Sequence, residues 1–463
     1  MKKAKRLSAV ILLMLLLVGM ISCKKTDGGT EEASTSVAEE SVGTGTHPHS
    51  EKFPPFPDDT VHIAQFIGSV CVREFGVGEN EDVSDRMTYR LLMREKLINA
   101  RFGVKTVVRS FEGGRNELIS GISAADAGET PFDIIAAPAD AAIYAATVGL
   151  LADINAIEGC MIDTERVSWA PALIDDLTMG SSLYCVTGDL SYGFLRDLRC
   201  IFYNKDLSGA GCADLALNGK WTVGRFFELV SEANGGTDGG VRGAVADDEG
   251  IFSFFGGSAL CTVRKDENGM PAASDELICD ARAASLVDGL FGMPSDVTVF
   301  AGGKAAFAAQ SLKYGCDIPK NLRGDCGILP MPKYNEDQPG YITPIGARCT
   351  VMAIGARCRQ KVTATAIFES LANDSTRSMS RDWFEYTLGR RHEEGTADAD
   401  IYDVLRRTVR CDLGVAANGP DDEMAAGAIR AAKDGRITLR DTSGYKTSWE
   451  RMAEKLSEMS GGK

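Results

Sequence analysis

The feature of this sequence that most constrains its fold is the alternation of short apolar runs with stretches of helical periodicity. The run at 132–137, Phe-Asp-Ile-Ile-Ala-Ala, is typical of a buried parallel strand. Two more strand-like runs lie at 61–66 and 104–108, and a helix is predicted between them, capped by Ser84 and ended by Gly103. Strands that alternate with helices in this way indicate α/β units on parallel sheets.

The second half of the chain is richer in predicted helices. Apolar residues recur at the spacing of one helix face from Val223, from Ala364 and from Ile401. The chain has 463 residues, which is enough for two lobes that each bury a full core. Its net charge of −15 argues against a nucleic-acid binder, because such proteins need Lys and Arg to displace counterions from phosphates.

The first 22 residues have the pattern of an export signal. Basic residues within 2–6 are followed by an uncharged apolar run at 7–20, which is shorter than a comfortable membrane span of about 20 residues. The run ends in Met-Ile-Ser-Cys at 20–23, which resembles a bacterial lipobox with Cys23 as the lipidated residue. The alternative is an ordinary signal peptide followed by an incidental cysteine. We predict a signal peptide at 1–22 and a lipid anchor on the outer face of the cell membrane.

Residues 23–60 are predicted to form a flexible tether. Their composition is dominated by Gly, Ser, Thr, Glu and Pro, and the stretch closes with a Pro-rich sequence. Such a segment buries too little apolar surface to fold by itself. After a lipidated cysteine, it would hold the folded domain away from the membrane.

Five short motifs follow one another along the rest of the chain. They are Gly-Leu-Leu-Ala-Asp-Ile at 149–154, Cys-Ile-Phe-Tyr-Asn-Lys-Asp-Leu at 200–207, Lys-Trp-Thr at 220–222, Phe-Ala-Gly-Gly-Lys-Ala-Ala-Phe at 300–307 and Gly-Ile-Leu-Pro-Met-Pro-Lys-Tyr at 327–334. Their order and spacing resemble those of bacterial extracellular solute-binding proteins that feed ABC importers, the group that contains sugar and oligosaccharide binders. The resemblance covers residues 61–463.

The resemblance implies an α/β fold of the two-lobed, periplasmic-binding-protein-like type (type II), in which discontinuous lobes are joined by a hinge. Each lobe would consist of two separate stretches of chain. The implied boundaries are 61–190 and 333–375 for the first lobe, 195–325 and 380–463 for the second lobe, and 188–199 and 326–332 for the hinge segments.

In such a fold the ligand lies in the cleft between the lobes, where the carboxyl ends of strands meet helix N-termini. A sugar would need aromatic faces for the apolar side of its ring, and carboxylates or amides for its hydroxyls. Positions after strands or near the hinge therefore give seven candidate ligand-binding residues: Glu79, Asp82, Asp140, Tyr144, Tyr192, Tyr341 and Trp383. An ordinary surface or core position is the alternative for each of them, and for Trp383 the two interpretations are balanced.

The function implied by the resemblance is capture of a small solute, with a sugar or oligosaccharide favoured, and its delivery to the membrane permease of an ABC transporter. No catalytic residue, cofactor, metal ion or nucleic-acid partner is expected. A monomer would suit delivery to a transporter.

Two other classes of protein stay open at this point. One is an anchored extracellular carbohydrate-active enzyme. Only His62 and His392 lie in the folded body, and no G-x-S-x-G or H-E-x-x-H motif accompanies them. A pair of catalytic carboxylates has no characteristic spacing along the sequence, so a sequence motif does not test for glycosidase chemistry. The other class is a lipoprotein of the same fold that senses a ligand or adheres to a partner.

Overall fold

The computed structural model describes residues 54–68, 72–77, 82–128, 130–209, 211–235, 240–323, 325–388 and 397–418, and scattered single positions from 427 to 458. All of them belong to one compact unit that spans residues 47–463. The predicted signal peptide, Cys23, Glu79 and most of the predicted tether lie outside the described residues.

Five strands form the sheet of the first lobe. They are β1 (Thr60–Phe66), β2 (Lys105–Phe111), β3 (Ile134–Pro138), β4 (Cys185–Val186) and β12 (Thr350–Ile354). Their order across the sheet is β2-β1-β3-β12-β4. Strand β1 is parallel to β2 and β3, whereas β12 is antiparallel to β3 and β4. The apolar run at 132–137 thus forms the central strand β3, which is buried along its whole length as its composition predicts.

The helices of the first lobe connect and cover these strands. They are α1 (Arg86–Phe102), α2 (Arg115–Ala127), α3 (Ala139–Thr147) and α4 (Pro171–Leu177). Helix α1 is capped by Asp85 and not by the predicted Ser84, because the Asp85 carboxylate accepts from the Thr88 amide at 2.8 Å. Its end at Gly103, where φ is +64°, is confirmed.

Four further strands form the sheet of the second lobe. They are β5 (Arg199–Asn204), β6 (Arg242–Ala246), β9 (Ala305–Ser311) and β10 (Cys326–Pro330), in the order β10-β5-β9-β6. Strands β6 and β9 are parallel, and β5 is antiparallel to β9 and β10. A separate hairpin joins β7 (Val263–Lys265) to β8 (Pro271–Ala273).

Short and medium helices surround the second sheet. In chain order they are α5 (Tyr192–Asp197), which precedes β5, and α6 (Cys212–Leu217), α7 (Val223–Gly235), α8 (Asp248–Gly257), α9 (Glu276–Cys279), α10 (Ala281–Leu290), α11 (Thr298–Ala301) and α12 (Lys320–Arg323). Rings of the motif residues Trp221 and Phe307 lie 6.0 Å apart in the core of this lobe. The motifs therefore contribute to the packing of the fold.

After β10 the chain returns to the first lobe and then crosses again. The elements are β11 (Thr343–Pro344), α13 (Lys361–Arg377), α14 (Met379–Asp382), a π-helix (Trp383–Thr387), α15 (Ala397–Arg407), β13 (Val409–Arg410) and α16 (Leu413–Asn418). Helix α15 packs on α6 and β10 of the second lobe, but α16 packs on α3 of the first lobe. Helix α16 also contacts β7 of the second lobe. The predicted lobe boundaries stay predictions.

The end of the predicted tether is packed against the body. Phe56 is buried, and the carbonyl oxygen of Pro54 accepts a hydrogen bond from the Thr363 hydroxyl at 2.7 Å. Burial of the Phe56 ring is favourable and helps to hold this end of the stretch against the body. The Pro-rich composition does not predict this contact. The helices of the described residues include none that is both long enough and apolar enough to cross a membrane.

Candidate functional site

A cavity of about 560 Å³ lies between the two lobes. The first lobe contributes Asp175 and Asp176 from the end of α4, and the second lobe contributes the first turns of α8 and residues within 259–265. Segments within 342–348 and 410–415 close the remaining sides. A cavity of this size, walled by both lobes, is in the range that encloses a small molecule.

An ion pair occupies the side of the cavity formed by α8. The Asp247 carboxylate caps this helix by accepting from the Gly250 amide at 2.7 Å, and the first turn then directs Glu249 to the cavity. Glu249 pairs with Arg199, which starts β5, and the buried Arg199 also lies 3.0 Å from Asp197. The Arg199 guanidinium lowers the pKa of Glu249, whereas burial raises the pKa of Asp197.

The opposite side of the cavity is fixed by Asp176. Its two carboxylate oxygens accept from Nε and Nη2 of Arg410 at 2.7 and 2.6 Å, which is a bidentate ion pair. The same carboxylate accepts from the amide of Cys411 at 2.8 Å. Burial raises the pKa of Asp176, although the pair with Arg410 opposes this shift.

A second carboxylate, Asp412, is bound by the second lobe. It accepts from the amide and hydroxyl of Thr262 at 2.6 and 2.7 Å and from the amide of Val263 at 3.3 Å. It also accepts from the amide of Gly414 at the start of α16. Burial raises the pKa of Asp412.

The rest of the wall is largely aliphatic. Among its described residues, Phe252 is the one aromatic residue and Ser253 the one residue with a side-chain hydroxyl. The aliphatic part comprises Leu260, Val263, Ile342, Pro344, Ile345, Leu413, Val415 and Ile429. Charged groups of both signs at the edges of an apolar surface can hydrogen-bond a polar solute while its C–H groups contact the aliphatic side chains.

Comparison with protein-family models gives no match, and comparison with curated proteins gives none either. Solved structures do match. The extracellular solute-binding protein family 1 from Alicyclobacillus acidocaldarius is 13% identical, with a TM-score of 0.51, over 87% of this chain and 99% of that chain. UgpB from Mycobacterium tuberculosis, in complex with glycerophosphocholine, is 16% identical, with a TM-score of 0.54, over 83% and 98%.

A third match is the galacto-N-biose-/lacto-N-biose I-binding protein of the ABC transporter from Bifidobacterium longum, in complex with lacto-N-biose. It is 12% identical, with a TM-score of 0.54, over 87% of this chain and 98% of that chain. The chain has the fold of the extracellular solute-binding proteins. The predicted fold class is therefore confirmed. Because each match spans nearly the whole of the other chain, the solute-binding-protein fold accounts for both lobes of the described structure.

Within this solute-binding-protein fold, the candidates from the first lobe lie outside the wall of the cavity. Asp82 is exposed and accepts from the Ser84 amide, which lowers its pKa. Asp140 is buried in the first turn of α3, and burial raises its pKa. The ring of Tyr144 lies 4.9 Å from the guanidinium of Arg115. The proposed contact of these residues with a solute stays a prediction.

The candidates near the hinge are packed against other parts of the protein. The rings of Tyr192 and Trp383 meet edge to face at 5.5 Å, and Trp383 is fully buried. The hydroxyl of Tyr341 donates to the carbonyl of Ala216 at 2.8 Å and accepts from the amide of Trp221 at 3.3 Å. None of the six described candidates is among the residues that line the cavity.

Sequence reasoning missed the residues that do line the cavity. Asp176, Glu249 and Arg410 are charged side chains in stretches without a motif, and the chain has 65 Asp and Glu residues in all. The one available signal was the adjacent pair Asp175-Asp176, which directly follows the apolar residues Leu173 and Ile174. In the described part of the chain, no group of three or more His, Cys, Asp and Glu residues is arranged to hold a metal ion.

Proposed function

We propose that the protein captures a small solute in the interlobe cavity and delivers it to the membrane permease of an ABC transporter. The observation that carries this proposal is the cavity of about 560 Å³, which both lobes wall within a solute-binding-protein fold. Charged side chains that face the cavity supply directional hydrogen bonds, and closure of the lobes would remove the solute from water.

We propose a sugar of one or two rings as the solute. Solved structures of this fold include one in complex with lacto-N-biose and one with glycerophosphocholine. Here the carboxylate of Glu249 and the guanidinium of Arg410 are suited to hydroxyl groups. With Phe252 as the one aromatic residue of the described wall, the cavity has little surface on which a long oligosaccharide would stack.

We also propose that the protein acts outside the cytoplasm, held at the outer face of the cell membrane by lipid on Cys23. The basic and apolar segments before the cysteine support this location. Residues between Cys23 and Pro54 would then serve as the tether. The protein would act as a monomer without a cofactor, and its role would be binding and not catalysis.

A thermal-shift screen of the full chain in detergent tests the proposal. The panel holds mono- and oligosaccharides, amino acids, polyamines, short peptides and glycerophosphodiesters. A true ligand at about 100 times its Kd should stabilise the folded state by roughly 2.7 kcal/mol and raise Tm by a few degrees. A selective sugar hit that is recovered unchanged supports solute binding. Turnover of the hit supports an anchored carbohydrate-active enzyme, and a silent panel favours a sensing or adhesive role.

A further inference from the structure

Three consecutive residues in the wall of the cavity are bound to opposite lobes. The side chain of Arg410 and the amide of Cys411 are held by Asp176, which lies on α4 beside strand β4 of the first lobe. The next residue, Asp412, is held by Thr262 and by Val263, which begins the β7–β8 hairpin of the second lobe.

The attachments to the two lobes are on adjacent residues, Cys411 and Asp412. Adjacent Cα atoms are about 3.8 Å apart, so these two residues cannot separate by more than that distance. The carboxylate of Asp176 is 10% exposed, and three donor groups hold it. If the lobes moved apart at this side by more than a few ångströms, either the contacts of Asp176 or those of Asp412 would have to break.

A second contact crosses the cleft beside this segment. The amide of Gly180, in the turn after α4, donates to the carbonyl of Gly269 at the tip of the β7–β8 hairpin at 2.9 Å. In the same region Lys265 of the hairpin donates to the carbonyl of Asp175. The hairpin and the 410–412 segment therefore join the same two parts of the molecule, α4 with its following turn and the residues after α8.

We propose that residues 410–412 form an interlobe strap that holds the two lobes together around the cavity before any solute enters. Asp176 and Asp412 are positioning residues of this strap, since they fix the wall that a solute would meet. The inference deepens the proposed function, because it names the element that controls opening of the same site. It predicts that loss of the first-lobe attachment loosens the second-lobe attachment as well.

Hydrogen exchange of the full chain, measured by mass spectrometry without any solute, tests the strap. The amides of Cys411, Thr262 and Val263 donate directly to the two strap carboxylates, so their exchange rates report each attachment. In Asp176→Ala we expect the exchange of Cys411 to rise, and that of Thr262 and Val263 to rise about tenfold with it. These two amides donate to Asp412, so their response to the loss of Asp176 measures coupling across the cleft.

Asp163→Ala is the matched control, because that carboxylate pairs with Arg166 on the exposed surface of the same lobe and should leave all three amides unchanged. Exchange in β9 reports global unfolding, and the rise at Thr262 and Val263 should exceed any change there. Arg410→Gln removes the two hydrogen bonds that Arg410 donates to Asp176. It must raise exchange at the same three amides as Asp176→Ala. Faster exchange at Cys411 with unchanged exchange at Thr262 and Val263, in both variants, would overturn the strap. Since no solute is present, a failed solute screen bears on the proposed function alone.

Discussion

Glu74 and Arg94 form an ion pair that is almost completely buried beside the first crossing between the lobes. The Oε2 and Nη1 atoms are 3.0 Å apart, and the side chains are 1% and 2% exposed. The Glu74 carboxylate also accepts from the Ser191 hydroxyl and from the amides of Tyr192 and Gly193. Arg94 lies on α1, so the pair joins a helix of the first lobe to the start of the predicted hinge.

We expect Arg94→Met to lower the free energy of unfolding by about 3–5 kcal/mol at pH 7, because it leaves the buried Glu74 charge without its partner. The double variant Glu74→Gln/Arg94→Met should be more stable than the single one, since the uncompensated charge is removed. Urea unfolding measures both. Arg225→Met is the control: its guanidinium pairs with exposed Glu228, and about 1 kcal/mol or less should be lost.

The free energy of unfolding of Arg94→Met should depend on pH in a defined direction. Burial raises the pKa of Glu74, and Arg94 opposes that rise. Without Arg94 the pKa rises further, so the folded state binds a proton more readily than the unfolded state. The part of the destabilisation that comes from the unpaired carboxylate is then absent below the ordinary carboxyl pKa and grows as pH rises through the pKa of the folded state. Urea unfolding of Arg94→Met at pH 5 should show a smaller loss, relative to the parent chain, than at pH 7.

Gly188 begins the predicted hinge segment and allows the chain to pass close to the backbone of Ser168. Its φ is +151°, and a Cβ there would lie 2.3 Å from the carbonyl oxygen of Ser168. We expect Gly188→Ala to cost roughly 1–3 kcal/mol, measured by urea unfolding, because the backbone of one segment must move. In Gly224→Ala, a Cβ on α7 meets no atom within 4 Å, and equal or greater stability is expected. A Gly188→Ala variant as stable as the parent would contradict the close contact.

The sheets could be predicted from the sequence for a physical reason. A strand covered on both faces needs an uninterrupted apolar run, and β3 and β5 both have one. The end of α1 could also be predicted from the sequence, since Gly103 adopts the left-handed conformation that ends a helix. Its start was off by one residue, because Ser84 and the adjacent Asp85 are both capping residue types and the hydrogen bond from the Thr88 amide goes to Asp85.

The cavity could not be predicted in the same way. Asp176 and Arg410 are 234 residues apart in the chain, and a bidentate pair between them leaves no periodic trace in the sequence. The expectation of aromatic stacking also led toward Tyr192 and Trp383, which pack against each other. Aromatic residues near the hinge serve packing as readily as binding, because burial of a large ring is favourable in either role.

Trp383 was one of the predicted ligand-binding residues, and its burial predicts a structural effect. We expect Trp383→Ala to lower the free energy of unfolding by about 3–5 kcal/mol, measured by urea unfolding. Trp383→Phe should cost less, because the indole Nε1 is buried without a partner among the described residues. Tyr386→Ala, on the same π-helix but 59% exposed, is the control and should have a small effect. Loss of solute binding in a stable Trp383→Phe variant would restore Trp383 as a ligand-binding residue.

Lipidation of Cys23 predicts a change of cell fraction. We expect Cys23→Ser to move the protein from the membrane fraction to the soluble fraction, because the acyl chains attached to the cysteine provide the anchor. Immunoblots of fractionated cells measure the distribution. Cys279→Ser, an exposed cysteine of the folded body, is the control and should leave the protein with the membrane. A Cys23→Ser protein that still fractionates with membranes would argue against the anchor.

The ion pair in the cavity predicts how the site responds to acid. Arg199 lowers the pKa of Glu249, so the carboxylate should stay charged at a pH where an ordinary glutamate is partly protonated. Its contribution to stability is present above the ordinary carboxyl pKa and is lost as pH falls through the lowered pKa. In Arg199→Gln the carboxylate loses the guanidinium that lowers its pKa, and we expect the pKa of Glu249 to rise. Carboxyl carbon NMR of the full chain, with Arg225→Gln as control, measures it, and an unchanged pKa in Arg199→Gln would show that the pair does not control this carboxylate.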